Sequence, residues 1–370
     1  MLIRQNKPHR ILIVGLGVAG ACLYWRLREL GANVVLSDPN ENATSSRAAA
    51  GLITPITGAN FALSWRFDEI WPESLEFYQT LATLTGERIF HPLPVVRLFS
   101  NNAEAEKFAQ KLAHNQALKV YVESEFSATD APSELLGFGV NAPHGGFVML
   151  GGWVNTSTLI DETRRELIRT NSYREQKITA DALNLSSSEN PNHPVRWNGE
   201  SFDLVVFCEG ANARHNPLFT DIPFRPAKGE FLTVNTPQAS PKAIINRKGS
   251  WLAPRNNNEW RTGSTYDFEH LDLQPTPQGR EQILANISKF YNGEINVTAA
   301  SAGVRPIMHK SQPVAGFLSL HNSTVAMLNG LGSKGCSTGP WAAGHLAHAV
   351  VNNTPLPPYL DLAELTNNPQ

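Results

Sequence analysis

The strongest constraint on this chain lies near its start, in Arg10-Ile-Leu-Ile-Val-Gly-Leu-Gly-Val-Ala-Gly-Ala and in the run Val34-Val-Leu-Ser-Asp38. Ile11 to Val14 form a short apolar run of the kind buried on both faces in a parallel sheet. It ends in Gly15-Leu-Gly17-Val18-Ala19-Gly20, after which Ala21, Leu23, Leu27 and Leu30 mark an apolar helix stopping at Gly31. Val34 to Leu36 give a second strand, closed by Asp38. Each part has a physical task. Gly15 permits a tight turn, Gly17 lets the backbone approach a pyrophosphate, and Gly20 lets helix and strand pack closely. The helix N-terminus offers unpaired N–H groups and the positive end of a dipole. Asp38, eighteen positions after Gly20, puts a carboxylate where it can accept both hydroxyls of an adenosine ribose. The pattern predicts a dinucleotide site.

At 370 residues the chain exceeds the usual size of one domain, so two are expected, and 41% hydrophobic residues suffice for a sizeable core. A net charge of −2 gives no global attraction to nucleic acid or anionic membrane. Cys22, Cys208 and Cys336 lack metal-ligand spacing and fit a reducing cytosol better than a disulfide framework. The polar residues before the first strand are no signal peptide, and no window has the apolar length of a membrane span. A cytoplasmic protein without a metal site is expected.

Along the chain, Pro39 to Pro55 contains Thr44-Ser45-Ser46-Arg47-Ala-Ala-Ala50-Gly51-Leu52. This reads as a turn and helix start with Thr44 or Ser45 as N-cap. Its small side chains also suit a backbone lying against a flat ligand, the reading favoured by its place after the nucleotide-binding half. Apolar residues recur at helical spacing over 61–85 and are closed by Gly86; residues 88–100 read as strand and 103–118 as a polar-faced helix. Residues 131–150 read as strands and turns, with His144 in a turn. A helix is expected from about Ser157 to Thr170, with acids early and arginines late. Strands over 174–207 flank a polar loop, Ser186 to Pro194. Leu204 to Phe207 is a buried strand whose carboxyl end opens at Gly210, where open α/β sheets bind ligands. From Pro223 alternating strands predominate up to Thr265, and a helix follows over about Pro277 to Tyr291. Near the C-terminus, Thr324 to Leu328 is a strand. The turn Asn329-Gly330-Leu-Gly332-Ser333-Lys334-Gly335-Cys336 then leads into an apolar helix at Trp341 to Val351, a second anion-binding arrangement.

The first glycine turn, the Ser45-Ser46 segment, Pro226-Ala-Lys-Gly-Glu230, Gly263-Ser-Thr-Tyr266-Asp, Gly303-Val-Arg305-Pro306 and the final glycine turn occur in the order seen in D-amino-acid oxidases, glycine oxidases and sarcosine oxidases. The chain resembles that superfamily over nearly its whole length. Its Gly263-Ser-Thr-Tyr-Asp and Gly330-Leu-Gly-Ser-Lys-Gly-Cys segments are most similar to the FAD domain of the bifunctional enzymes that make 5-methylaminomethyl-2-thiouridine in tRNA. The resemblance implies an α/β fold in which a Rossmann-like FAD domain (1–85, 151–222 and 297–370) is interleaved with an α+β, sheet-rich substrate domain (86–150 and 223–296). In such proteins the first segment holds the ADP part of FAD, and the second passes the pyrophosphate toward the isoalloxazine ring. Gly210 approaches the ADP part, and the final glycine turn meets the flavin's pyrimidine carbonyl. No cysteine lies between Arg305 and Phe317, where sarcosine oxidases tether the flavin, so FAD is expected to be noncovalent.

The reaction implied moves a hydride from a carbon next to an amine to flavin N5, after which the imine hydrolyses. Oxygen or another acceptor reoxidises the flavin. The cofactor carries the electron chemistry, and the protein holds the C–H bond against it. A glycine-like substrate needs a cation for its carboxylate, and an arginine fork fixes angle as well as distance. Arg305 is the candidate for that role. The second arginine of glycine oxidases is replaced here by Ser333 or Lys334, so Lys334 offers a point charge in place of a fork. Tyr266 either closes the substrate pocket or packs at a strand end, while Arg255 and His309 are weaker candidates. The expected partner is a small amine. A carboxymethylaminomethyl group on a tRNA wobble uridine is the alternative; it needs a basic face, for which the loop around Arg247, Lys248 and Arg255 is the only modest candidate, and the net charge disfavours it. An NAD-dependent dehydrogenase would not need the second and last glycine segments.

Overall fold

A computed structural model describes residues 10–185, 194–238, 240–255, 258–309, 311–318 and 324–367. Ile11 and Ile13 point into one apolar core and Leu12 and Val14 into another, so the strand Arg10–Val14 is buried on both faces as its composition requires. It is a central strand of a six-stranded sheet, in the order Tyr173–Arg174, Asn33–Ser37, Arg10–Val14, Leu204–Phe207, Val325–Asn329 and Val314–Phe317. All neighbours run parallel except the last pair. The helices Val18–Glu29, Phe67–Thr85, Thr156–Arg169 and Gly335–Asn352 contribute to the core on one face. An open, mostly parallel sheet with a glycine turn at the carboxyl end of a central strand is the arrangement expected for a Rossmann-like dinucleotide site.

A second sheet has eight strands, in the order Asn296–Arg305, Ala227–Asn235, Glu259–Gly263, Ser250–Pro254, Ile244–Arg247, Val95–Leu98, Gly146–Met149 and Val122–Phe126. Side-chain alternation divides it into two faces. Val96, Leu98, Ile245, Leu252 and Trp260 pack with Ile283 and Ile287 of the helix Pro277–Ile287. Val95, Ile244, Trp251 and Phe231 occupy the opposite face. The chain leaves this sheet at Arg305-Pro306, beyond the expected domain boundary at 297.

Several expectations need correction. Residues 88–100 split into Phe90–Pro92 and Val95–Leu98, which belong to different sheets. The helix expected over 61–85 begins at Phe67, after Arg66 in a left-handed conformation, and Phe61 packs against Phe99, Phe108 and Phe147. Within 131–150, Ser133–Phe138 is a helix: Leu135 and Phe138, three apart on one face, are buried, a spacing masked by the surrounding Gly and Pro. Most of the expected polar loop, residues 186–193, lies outside the described residues.

The C-terminal helix begins at Gly335, six positions before the expected start, although it contains Pro340. Proline has no N–H, so the carbonyl of Cys336 loses its donor four residues on. The buried Tyr78 hydroxyl donates to that carbonyl at 2.7 Å, and Ser74 donates to the carbonyl of Ser337. A neighbouring helix thus supplies what the helix itself cannot, which sequence periodicity does not reveal. Tyr78→Phe keeps the packing but leaves this carbonyl unpaired; denaturant unfolding is expected to show a loss of about 1–3 kcal/mol.

Candidate active site

The two sheets meet at Ser45 and Ser46. Thr44 caps the short helix Ser45–Ala48 by accepting from the Arg47 amide. This fixes both serines. Ser46 Oγ accepts from the Val18 amide at 3.0 Å, at the start of the first long helix. Ser45 Oγ donates to the Val304 carbonyl (2.6 Å) and accepts from its amide (3.1 Å), on the edge strand of the larger sheet. Close packing supports the junction. A Cβ on Gly303 would lie 3.0 Å from Ser45 Cα, one on Gly17 2.8 Å from Ser46 Oγ, and one on Gly20 2.0 Å from the Gly15 carbonyl oxygen. Gly15 has φ +103°, which only glycine adopts without strain.

A cavity of about 660 Å³ opens between the sheets along this junction. Among the described residues, its charged lining residues are Arg97, Lys248, Arg305 and Lys334, with no Asp or Glu. Arg305, the last residue of its strand, is held by three acceptors. Nη1 donates to the carbonyls of Lys228 (3.3 Å) and Thr265 (3.2 Å), and Nη2 donates to Ser264 Oγ at 2.8 Å. The guanidinium lies 4.0 Å from the centre of the Tyr266 ring. It fits because residue 229 is glycine: a Cβ there would fall 2.1 Å from Arg305 Nη2. Burial lowers the pKa of Arg305, with Tyr266 acting against the shift. Lys334 precedes the helix Gly335–Asn352; its ammonium donates to Thr54 Oγ1 at 3.3 Å, and burial pushes its pKa down to about 8. A neighbouring cavity of about 440 Å³ shares Tyr266 and Lys334 and adds Arg225, Phe268 and His309. Tyr266 is 54% exposed, so it stands at the opening and does not pack inside a strand end.

The residues expected around the cofactor line the larger cavity, except Gly15, Gly20, Asp38, Arg47 and Gly330. The first two lie behind the turn they shape. The Asp38 carboxylate accepts from the Leu16 and Asn40 amides at 2.8 Å, which occupies about two of its four acceptor sites. Arg47 is turned away onto Asp161 at 2.7 Å, so its expected part in cofactor binding is not supported by its direction. Gly330 turns the chain at φ +74° while its amide donates to Asn329 Oδ1; Asn329 in turn donates to the Gly210 carbonyl at 2.9 Å. Cys336 lines the cavity, but burial raises its thiol pKa to about 12. Arg255 belongs to no basic face. It is buried against the Trp153 ring and donates to the Ala50 carbonyl, and desolvation together with nearby Arg261 lowers its pKa to about 9. Sequence reasoning missed Arg97, Gly229 and Asn329 as site residues. Gly229 and Asn329 lay within motif segments without being singled out, whereas Arg97 showed only as a cation within the apolar run Leu93 to Phe99.

The family model described as FAD dependent oxidoreductase matches residues 10–349. The tRNA 5-methylaminomethyl-2-thiouridine biosynthesis bifunctional protein MnmC of Marinobacter nauticus is 25% identical over 368 residues, covering 92% of this chain and 55% of that protein. Its counterpart in Shewanella halifaxensis is 25% identical over 406 residues, covering 96% and 62%. The chain therefore spans little more than half the length of these relatives. Among solved structures, iminodiacetate oxidase from a Chelativorans species superposes with a TM-score of 0.79 at 20% identity, covering 95% of this chain and 98% of that one. Glycine oxidase from Geobacillus kaustophilus gives 0.75 at 19% identity, covering 94% and 96%. At those identities the likeness is one of fold. With the family model spanning both sheets and the junction between them, the chain belongs to the D-amino-acid oxidase-like family of FAD-dependent oxidoreductases.

Proposed function

We propose that this oxidoreductase acts on a small amine carrying a carboxylate, an amino acid or an N-substituted glycine. The observation that carries the reading is the cavity wall, in which arginines and lysines occur without a carboxylate. Such a wall attracts an anion and disfavours a cation, so a bound amine is driven toward its neutral form. That form has the lone pair that assists loss of hydride from the adjacent carbon.

The residues present fit FAD. Beyond the Val18 amide, which Ser46 takes, the first turn of the helix Val18–Glu29 suits a pyrophosphate, and Gly17, Val18 and Ala19 line the cavity there. The second segment, from Ser45 to Leu52, offers a wall of small residues beside the cavity. The turn into Gly335 offers N–H donors to a ring carbonyl. FAD, when bound, supplies the two-electron acceptor, and water then hydrolyses the product imine. Arg305 takes the substrate carboxylate, its fork already oriented by Lys228, Thr265 and Ser264. Lys334 adds a point charge, and Tyr266 covers the guanidinium at the opening.

A second reading keeps the chemistry and places the amine on a tRNA wobble uridine. It is favoured by one surface feature. Tyr266 and Phe268 are 54% and 48% exposed, with ring centres 6.4 Å apart, and Arg225 lies 5.0 Å over Phe268. Exposed aromatics with arginines are a stacking surface for bases. The names of the full-length relatives agree with it. Anaerobic addition of N-methylglycine, glycine, proline or D-amino acids to the yellow protein separates the readings. Bleaching by a small amine supports the first; bleaching only by a carboxymethylaminomethyl-uridine tRNA, with salt-dependent binding, moves the function to the second.

Arg305→Lys keeps the charge and loses the fork. Reductive-half-reaction kinetics are expected to show a rise of about 10–100-fold in the apparent Kd for the amine, and a larger one for Arg305→Ala. Lys334 is cationic below about pH 8 and neutral above it. The affinity of methoxyacetate, a carboxylate with no amine to titrate, should therefore fall between about pH 7 and about pH 9, and Lys334→Met should flatten that dependence.

A further inference from the structure

We propose that the cavity contains a second anion subsite, formed by Arg97 and Asn246 with Lys248 beside them, so that the substrate is an amine with anionic groups at both ends. The inference rests on the amine-oxidation reading and narrows its substrate class. The first end is the carboxylate held by Arg305. The second is a carboxylate or a phosphate.

Arg97 is 4% exposed, yet it carries a charge on a face otherwise built from Val95, Phe99, Ile244 and Trp251. Its Nη1 donates to Asn246 Oδ1 at 3.0 Å, and its Nε is buried without a partner. The carboxylate that bears on it, Glu104, is engaged by the Ser100 amide at 2.7 Å, and no ion pair to Arg97 occurs among the described residues. The nearest ring is that of Phe61, 5.6 Å from the guanidinium. A buried guanidinium without an anion is costly, and an apolar side chain would serve the packing here better. The cavity gives the charge a purpose: Arg97, Asn246 and Lys248 all line it. With Oδ1 occupied by Arg97, Asn246 keeps its amide hydrogens for a ligand.

The register of the sheet places this group relative to Arg305. Arg97 pairs with Asn246, Asn246 with Trp251, Trp251 with Gly263, and Gly263 with Phe231. Residues directly opposite one another share a face, so these form one row across the cavity floor. Arg305 is on the strand beyond Phe231, at the sheet edge. Adjacent strands are about 4.8 Å apart, which separates the strands of Arg97 and Arg305 by roughly 24 Å. Even with both side chains reaching inward, the two cations serve opposite ends of the cavity. A glycine-sized molecule on Arg305 leaves Arg97 unused.

The test uses the FAD-loaded protein and probes that cannot be oxidised. The α,ω-dicarboxylates from glutarate to sebacate, and monocarboxylates of matching length, are titrated against the visible spectrum of bound flavin. At one chain length the dicarboxylate should bind about tenfold tighter than its monocarboxylate. Arg97→Met should abolish that advantage by weakening the dicarboxylate far more than the monocarboxylate, whereas Arg97→Lys should retain part of it. Replacing the distal carboxylate of the best probe by phosphate shows which anion is preferred. Equal affinity of both series throughout, or an advantage that persists in Arg97→Met, overturns the subsite. Where Arg97→Met does not hold flavin, the wild-type series and Arg97→Lys decide. Anaerobic bleaching by N-methylglycine without any dicarboxylate advantage sinks the subsite alone. A dicarboxylate advantage in a protein that no amine bleaches supports the subsite and removes amine oxidation.

Discussion

Two hydroxyl groups hold the site together. Ser46 accepts from the first turn of the helix behind the dinucleotide motif, and Ser45 exchanges two hydrogen bonds with Val304 in the other sheet. Neighbouring side chains thus fix the distance between two separately organised sheets, and the cavity is the space this distance leaves. The glycines on either side are needed for the same reason. Each stands where a single carbon would separate the partners or press into the serines.

The same junction carries an unusual density of buried positive charge. Arg255 and Arg261 donate to the carbonyls of Ala50 and Ala49, and their guanidiniums lie 4.1 Å and 5.1 Å from the rings of Trp153 and Phe231. Carbonyl oxygens and ring faces are partial neutralisers, and although the Glu259 carboxylate bears on both arginines, burial outweighs it and lowers the pKa of both. The arrangement orients the Ala49-Ala50 backbone from the side of the larger sheet. It also keeps the neighbourhood electropositive, in accord with the acid-free wall of the cavity.

The first sheet was largely legible from the chain. Ile11 to Val14, the glycine turn and Leu204 to Phe207 declare themselves because a strand buried on both faces needs an unbroken apolar run, and a tight phosphate-type turn needs glycine. A hydroxyl cap at Thr44 or Ser45 was legible for the same local reason, and the structure uses Thr44. The errors came where tertiary contacts decide. Nothing near Pro340 says that Tyr78, far away in sequence, will complete its helix. The break at Arg66 and the division of 88–100 between two sheets likewise depend on partners that sequence spacing does not name. The motif alone singled out Arg305, which lines the cavity, whereas the same placement of Arg97 required knowledge of which face of the larger sheet looks into it. Arg47 shows the converse: it sits within an informative segment, yet its charge is spent on Asp161.

Gly229 has a consequence for how charge is positioned in this fold. The seat of the Arg305 guanidinium is the volume that any other residue at 229 would claim with its first side-chain atom. The position of this guanidinium is therefore encoded at two residues, one by what it carries and one by what it lacks. A lineage could displace the guanidinium by gaining a methyl group at 229 while every charged residue stayed in place. Comparing only reactive side chains would overlook that change, since the determinant is an empty volume in a strand.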